Sequence, residues 1–517
     1  MKNTNMSRRD FIKKSATAAI SLPFICGIGC NSGGGNDNSG NASAHADASV
    51  TVDTQVDVVL KNGIIIDVKT GNLIPDNLIL IKDGRILDII SSGSGTGINA
   101  DNVYDLQGNY VMPGLINAHT HMSMPCSISV FDLNVLPDLI PQFYIQSRKN
   151  ALECVRHGVT TVRDMGAMYN ITQKLKEHIA AGEIVGPRII TSSVLDVTGS
   201  FMSAAFGILA DPYEACFQPV NYLDQAADAV ADAIKDGRGW IKLYHQTKRM
   251  AIPLPPFLIM GDTLAKTICD EARRQGIPVA QHLTDSTGLA KGLNAGVTTF
   301  EHMMIDREFT RDELKQIMDK NIGFIPTVTV AYALCYQTED DPDWSTGMRK
   351  LIADERGRLM PAMIDEYLTP DWAATMHTTF VNYNDPEYFS TFELQEPVKL
   401  NPDAFIGVMT NGVNNMNAVY AEGAKIGCGN DGGMPFIFPG AMGLEMHLLR
   451  KIGYAPADIL KMATINNAEI LGLDKDLGSI EKGKIADLAV FSDNPLDSLE
   501  NTFSARHVFQ AGQQVAL

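Results

Sequence analysis

Apolar and polar positions along this chain change their period twice. Between residues 54 and 110 the apolar residues come in short alternating runs, VDVVLKNGIIID, NLILIKDGRILDII and NVYDLQG. Alternation with period 2 marks half-buried strands. Asn62-Gly63 and Asp83-Gly84 interrupt these runs and predict hairpin turns, because such pairs tolerate positive φ. Between about 111 and 470, solid apolar runs alternate with stretches of helical period. Strands are predicted at 110–118, 158–163, 187–192, 239–244, 278–283, 297–302, 322–328 and 425–430. Helices fall between them, as in YLDQAADAVADAIKDG (222–237) and DTLAKTICDEARRQG (262–276). Gly237, Gly276 and Gly296 stand where helix C-caps belong. From residue 471 the pattern returns to β, in LGSIEKGKIADLAVFSDNP (477–495) and HVFQAGQQV (507–515).

Eight strand–helix units predict an α/β chain with a parallel barrel over 111–470. The flanking β segments, 51–110 and 471–517, are expected to form one small β domain together. One stretch breaks the repeat: residues 337–400 form a polar and aromatic insertion between the seventh and eighth strands. A structureless loop of that length is unusual, so local helices are expected, for instance around 346–367. Loops after barrel strands lie over the active site, which makes the insertion a candidate lid.

The N-terminus follows none of these periods. Ser-Arg-Arg-Asp-Phe-Ile-Lys (7–13) precedes a mildly apolar stretch, Ser15 to Gly29. That stretch is shorter than the roughly 20 residues a bilayer requires but suits a signal h-region. Arg8-Arg9 followed by Phe11 and Lys13 resembles a bacterial twin-arginine signal. Ile28-Gly29-Cys30 resembles a lipoprotein cleavage site, with Cys30 acylated as a membrane tether. Gly27 stands where such sites prefer Leu, which leaves soluble release as the alternative. The expectation is a signal over 1–30 and export to the periplasm, free or anchored. Residues 31–50 are rich in Gly, Ser and Asn and read as a disordered linker.

Charge and cysteine content narrow the partners. With 42 basic and 60 acidic residues the chain carries a formal −18, which disfavours nucleic acid and anionic membrane surfaces. Of the eight cysteines, Cys26 falls in the signal and Cys30 at the cleavage site. The others (126, 154, 216, 269, 335 and 428) are scattered and read as buried small hydrophobes, not a disulfide framework.

Chemistry gathers at the C-terminal ends of the predicted barrel strands, where active sites of such barrels lie. The first strand ends at His119-Thr120-His121, and two imidazoles two residues apart on an extended chain point to one side. The fourth strand carries Lys242 near its end, the fifth ends at His282, the sixth at His302 and the eighth at Asp431. Each histidine taken alone reads better as a hydrogen-bonded core residue. Four of the chain's 11 histidines on one rim, with an aspartate, point to a metal site. Lys242 cannot bind a cation as an ammonium, and spacing alone favours a lysine that snorkels or pairs with an acid. As a neutral amine it can react with carbon dioxide to give a carbamate able to bridge two cations. Tyr244, on the same strand face, is a candidate donor to a substrate carboxylate. His245 and Arg163 are weaker candidates for substrate contact, and Arg163-Asp164 reads better as an ion pair that stabilises the rim. Glu301 is expected to face away from His302, in a structural role.

Seven motifs resemble the metal-dependent amidohydrolase superfamily: PGLINAHTH (113–121), HGVTTVRDMG (157–166), WIKLY (240–244), QHL (281–283), VTTFEH (297–302), GNDGG (429–433) and ATINNAEILGLDKDLGSIEKGKIADLAVF (463–491). The likeness is to the branch with imidazolonepropionase-like proteins, Xaa-Pro dipeptidases and carboxypeptidase-like enzymes. It implies a distorted (β/α)8 TIM-type barrel plus a β-sandwich built from both termini. By position, His119, His121 and Asp431 would hold one divalent ion, and His282 and His302 a second. Zinc is the expected metal, with Lys242 as a bridging N6-carboxylysine. The resemblance implies hydrolysis of a C–N amide bond, in a dipeptide, N-acyl amino acid or similar small molecule. A hydroxide bridging the metals would attack, and Asp431 would carry its proton to the leaving amine. A mononuclear imidazolonepropionase-like hydrolase and a non-catalytic binding lipoprotein stand as alternatives. Deamination is disfavoured, because His282-Leu283-Thr284-Asp285 lacks the H-x-x-E glutamate that such deaminases carry. The strand-four continuation Tyr-His-Gln-Thr-Lys and the 337–400 insertion depart from the family pattern. Homo-oligomerisation is left open.

Overall fold

The computed structural model describes residues 54–94, 97–127, 136–166, 169–200, 217–245, 258–333, 347–382 and 406–516. The expected signal, Cys30 and the linker lie outside these residues, as do 334–346 and 383–405 in and around the insertion. No helix among the described residues is long and apolar enough to cross a membrane.

The two chain ends share one curled sheet. Its strands are β1 (Thr54–Asp67), β2 (Asn72–Lys82), β3 (Arg85–Ser91), β4 (Ile98–Asp105) and β5 (Tyr110–Pro113), all from the N-terminal side. Asp83-Gly84 makes the β2–β3 hairpin, with φ of 50° and 74°. Asn62-Gly63 does not make a hairpin, contrary to expectation. It lies inside β1, where the register against β2 shifts and β1 exchanges one parallel neighbour, β4, for another, β5. Asn62 has φ 56°, and its carbonyl accepts from Gly108 N at 2.6 Å. An Asn-Gly pair signals positive φ, which a bulge uses as readily as a turn. The C-terminal strands β14 (Leu488–Phe491), β15 (His507–Gln510) and β16 (Gln513–Gln514) continue the sheet from β5. Leu60, Ile65, Ile79, Leu488, Val490 and Phe509 fill its concave face.

The chain enters the barrel directly from this sheet. Only Gly114 separates β5 from β6 (Leu115–Thr120), and its amide donates to Asp487 O at 2.8 Å. A Cβ on Gly114 would lie 2.1 Å from Thr160 Oγ1 and 2.8 Å from Thr160 Cβ. Overpacking of a buried contact typically costs a few kcal/mol. We expect Gly114→Ala to lose about 3 kcal/mol in urea denaturation on this ground. A loss under about 1 kcal/mol would show that the crossing relaxes freely, given that range.

Seven strands then pair in parallel: β6, β7 (Val159–Asp164), β8 (Arg188–Asp196), β10 (Trp240–Tyr244), β11 (Val279–His282), β12 (Thr299–Glu301) and β13 (Gly323–Ile325). A short strand, β9 (Phe217–Pro219), adds to β8. Gly237, Gly276 and Gly296 have φ of 70°, 76° and 75°, and close the preceding helices as the sequence predicts. Segment 425–432 completes the ring as isolated bridges to Phe324 on one side and Thr120 on the other. Side-chain amides replace the missing ladder bonds at this seam. Asn467 Nδ2 donates to Ile116 O at 2.6 Å and Cys428 O at 2.7 Å, and its Oδ1 accepts from Cys428 N. Asn117 Nδ2 donates to Asn430 Oδ1 at 2.7 Å. The fold is thus a nearly closed TIM-type barrel with a second, curled sheet.

The described part of the insertion is helical, over Met348–Tyr367 and Pro370–Val381. It is tied down by core packing: Ile352, Met360, Ile364 and Met376 are fully buried in the main hydrophobic cluster. Tyr367 stacks on Phe438, beyond strand eight, at 5.2 Å. Cys126, Cys154, Cys269 and Cys428 are free and buried.

Candidate metal centre

The strand ends bring four imidazoles and one carboxylate together. His119 is the last-but-one residue of β6 and His121 the first beyond it. Asp431 Oδ1 lies 3.2 Å from His119 Nε2 and 3.0 Å from His121 Nε2. One ligand atom from each of these residues falls within 4.8 Å of the others. His282 ends β11 and His302 follows β12. The His302 ring centroid is 4.7 Å from that of His119 and 4.4 Å from that of His282. Tyr244 stacks on His282, centroids 4.0 Å apart.

Backbone geometry explains how so many side chains converge. His302 and Asp431 have φ of 72° and 54°, a region that L-residues seldom adopt. The left-handed turn at His302 breaks the alternation of the strand, so Glu301 and His302 both reach the barrel interior. Such strain clusters at functional sites, where the surroundings hold it in place.

Hydrogen bonds behind the rings fix their orientation. His119 Nδ1 donates to Glu301 Oε2 at 2.7 Å, and His121 Nδ1 donates to the Gly166 carbonyl. His302 Nδ1 lies 2.8 Å from Thr327 Oγ1. A histidine whose Nδ1 donates outward presents a bare Nε2 inward, the tautomer a metal needs. His119 Nε2 and His282 Nε2 are indeed buried without a hydrogen-bond partner. Burial, with neighbouring His302 and Lys242, holds the His282 pKa well below its ordinary value. Burial does the same for His302 against the pull of Asp431. Burial alone would raise the Asp431 pKa, but the neighbouring His119, His121 and His302 outweigh it and hold it well below its ordinary value. Neutral rings at His282 and His302, and orphaned Nε2 atoms on His119 and His282 beside an anion, fit one or two divalent cations.

Lys242 is buried in this group, and neither an ion pair nor a hydrogen bond holds it among the described residues. Burial pulls its pKa down to about 8, against the attraction of Glu301 and Asp431.

Three expectations change with the structure. Glu301 does not face away from the site, since it carries the His119 hydrogen bond. Arg163 is not on the rim. It is fully buried beneath the site, with Nη2 donating to Glu301 Oε1 at 2.7 Å and Nε to Ala118 O at 2.6 Å, stacked over Trp240. That placement removes it from substrate contact. His245 faces the helix layer, near Gln281, and its carbonyl lies against Gly288 of helix Ser286–Ala295. Asp164 pairs with no arginine among the described residues. It accepts from Met122 N and Gly166 N at 2.8 and 2.9 Å and so fixes the loop that holds His121. Thr327 acts through one hydroxyl beyond β13 and Asp164 through contacts to backbone amides, and no period in the sequence marks either role.

The amidohydrolase family profile matches residues 110–515. The chain belongs to the amidohydrolase family. A 5′-deoxyadenosine deaminase of Methanosarcina acetivorans is 31% identical over 136 residues, 23% of this chain and 31% of the relative. An uncharacterised protein of Mycobacterium tuberculosis is 26% identical over 286 residues, 54% of this chain and 66% of the relative. The amidohydrolase thus spans between 31% and 66% of the length of these curated relatives. Among solved structures, a Bifidobacterium longum protein assigned as a prolidase is 26% identical, with TM-score 0.62 over 89% of this chain and 94% of that one. A Xaa-Pro dipeptidase with methionine in its active site shares the fold at 20% identity, with TM-score 0.64 over 89% and 100% of the two chains. Amidohydrolases typically depend on metal, and the cluster of His119, His121 and Asp431 is a candidate metal-binding group in this one.

Proposed function

We propose that this amidohydrolase hydrolyses a C–N amide bond in a dipeptide, N-acyl amino acid or similar small molecule at a binuclear zinc centre. The observation that carries the reading is the pair of bare Nε2 atoms on His119 and His282, with Asp431 beside His119 and His121 and Lys242 buried in the same group. His119, His121 and Asp431 would hold one cation, and His282 and His302 the other. When bound, such cations supply an activated water and polarise the amide carbonyl. Asp431 accepts the proton released as the water oxygen adds to the carbonyl carbon. It returns that proton to the departing nitrogen, so the products are a carboxylate and an amine. Tyr244, half-buried and stacked on His282, would donate a hydrogen bond to a substrate carboxylate.

Lys242 is proposed to be carboxylated. Its pKa near 8 leaves about a tenth of the amine neutral at pH 7, by the titration relation. Neutral amine and carbon dioxide give the carbamate with release of one proton. The resulting anion removes the anomaly of a buried ammonium next to two cation sites.

The deaminase reading suggested by one relative fits less well. The carboxylate three residues after His282 is Asp285, whose Oδ1 accepts from Gly288 N at 2.8 Å as a helix cap. Export through the twin-arginine route, with Cys30 as tether, belongs to the same proposal and rests on the N-terminal motifs alone.

Metal analysis with a substrate panel tests the reading. The purified chain should hold two equivalents of zinc, and Lys242→Ala one or fewer. Chelation should abolish turnover of the best substrate in a set of dipeptides, Xaa-Pro dipeptides and N-acyl amino acids, and zinc should restore it. A fully loaded protein that cleaves nothing in the panel refutes the hydrolase assignment.

A further inference from the structure

Helix Met442–Lys451 packs behind the seam between β13 and strand eight, and it carries one acid towards the barrel. Glu445 is fully buried, and no cation among the described residues is paired with it. A carboxylate in that setting persists only where donors satisfy it. Here the donors are backbone. Glu445 Oε1 accepts from Val328 N at 2.8 Å and Oε2 from Thr329 N at 2.8 Å. The Thr329 hydroxyl lies 2.9 Å from Oε2 and 2.6 Å from the Asn430 carbonyl.

Both contacts lead to the metal centre within one residue. Val328 follows Thr327, whose hydroxyl meets His302 Nδ1. Thr327 has φ 50°, a conformation that a β-branched residue rarely holds unaided. Fixing the next two amides is what keeps it there. On the other side, Asn430 precedes Asp431, itself left-handed at φ 54°. Glu301 and Asp164 each serve one histidine, whereas Glu445 reaches a residue from each half of the centre.

We propose that Glu445 is a positioning residue that sets the separation of the two halves of the metal centre, through Thr327–His302 and through Asn430–Asp431. The inference rests on the binuclear reading. An acid kept only for packing would affect stability without affecting the cations. Removing a group that supports metal ligands from behind typically costs 10–100-fold in affinity or activity.

The test compares full-length wild type with Glu445→Gln, Thr329→Val and Thr329→Ser. Zinc affinity is measured by chelator competition, the Co2+-substituted visible spectrum is recorded, and kcat and KM are separated. Glu445→Gln should weaken the looser zinc by at least tenfold, shift the cobalt spectrum and lower kcat about tenfold, with KM within twofold, on the strength of that precedent. Thr329→Val, nearly the same shape, should weaken the same zinc and lower kcat in the same direction, and Thr329→Ser should restore both to within threefold. The threonine pair carries the test if Glu445→Gln fails to fold. Zinc affinity and spectrum unchanged in folded Glu445→Gln, or in Thr329→Val, overturn the inference and leave the hydrolase reading intact. A wild-type chain that takes up one zinc or none overturns the binuclear reading itself.

Discussion

Replacing Asp431 with asparagine should lower turnover by about 10³-fold, within the range a positioned proton carrier contributes, while zinc content stays near wild type. The reasons are geometric. Asp431 sits at φ 54°, and asparagine tolerates the left-handed region better than almost any other residue. The substitution therefore leaves the backbone and the seam with β6 in place. Its Oδ1 can still face His119 Nε2 and His121 Nε2, where the carboxylate oxygen now lies at 3.2 and 3.0 Å. What the amide cannot do is accept a proton and return it. Asp431→Ala would confuse the result by adding backbone strain to the loss of a ligand. The measurement is kcat for a cleaved dipeptide, with zinc counted in the same preparation. Activity within threefold of wild type would remove Asp431 from proton transfer. Loss of one zinc would make it chiefly a ligand.

The candidate ligand set was legible because two simple rules coincide there. Barrel strands deliver residues to one rim, and His119, His121, Lys242, His282 and Asp431 each stand where an apolar run ends. The surroundings were less legible, for reasons that differ from residue to residue. Glu301 looked outward because alternation was carried one step too far, across a histidine whose φ of 72° resets it. The pairing could have been found from charge: a glutamate inside the apolar run VTTFEH needs a buried cation, and Arg163 ends another barrel strand. Asn62-Gly63 was misplaced because the pair encodes a positive φ but not its context. Strand eight is short in ladder bonds, and Asn117, Asn430 and Asn467 make up the difference. Asp164 and Glu445 act on backbone amides, which have no signature in the sequence, and Thr327 acts through one hydroxyl in a loop, which no period marks.

Glu301→Gln should have the largest effect on the folded state and a second, separable effect on the metal. Glu301 joins Arg163 to His119, with Oε1 taking the guanidinium and Oε2 the imidazole, all three fully or almost fully buried. Burial alone would raise the Glu301 pKa. Arg163 first, then His119 and Lys242, outweigh it and hold the carboxyl well below the usual range. A carboxylate depressed on folding adds stability above its unfolded pKa near 4.3, and loses it as pH falls through the folded value. Wild type should therefore weaken below about pH 4 partly through this group, given that unfolded pKa. Glu301→Gln should lack that part of the acid dependence. At neutral pH the glutamine strands the Arg163 charge in the barrel, and breaking a buried pair costs about 3–5 kcal/mol. It also offers a single acceptor where two are needed, so His119 loses its orientation and zinc affinity should fall about 10–100-fold. Arg163→Met in the same chain separates the two effects. The double variant frees the glutamine oxygen for His119 Nδ1 and removes the stranded charge, so most of the stability should return. Zinc affinity should recover only in part, because a neutral amide polarises the imidazole less than a carboxylate does. Urea denaturation from pH 3 to 7 and chelator competition read the two quantities independently. A single variant that loses less than about 1 kcal/mol, against the magnitude expected for an unpaired buried charge, would mean that water reaches Arg163 and that the chain from Arg163 through Glu301 to His119 does not hold the site.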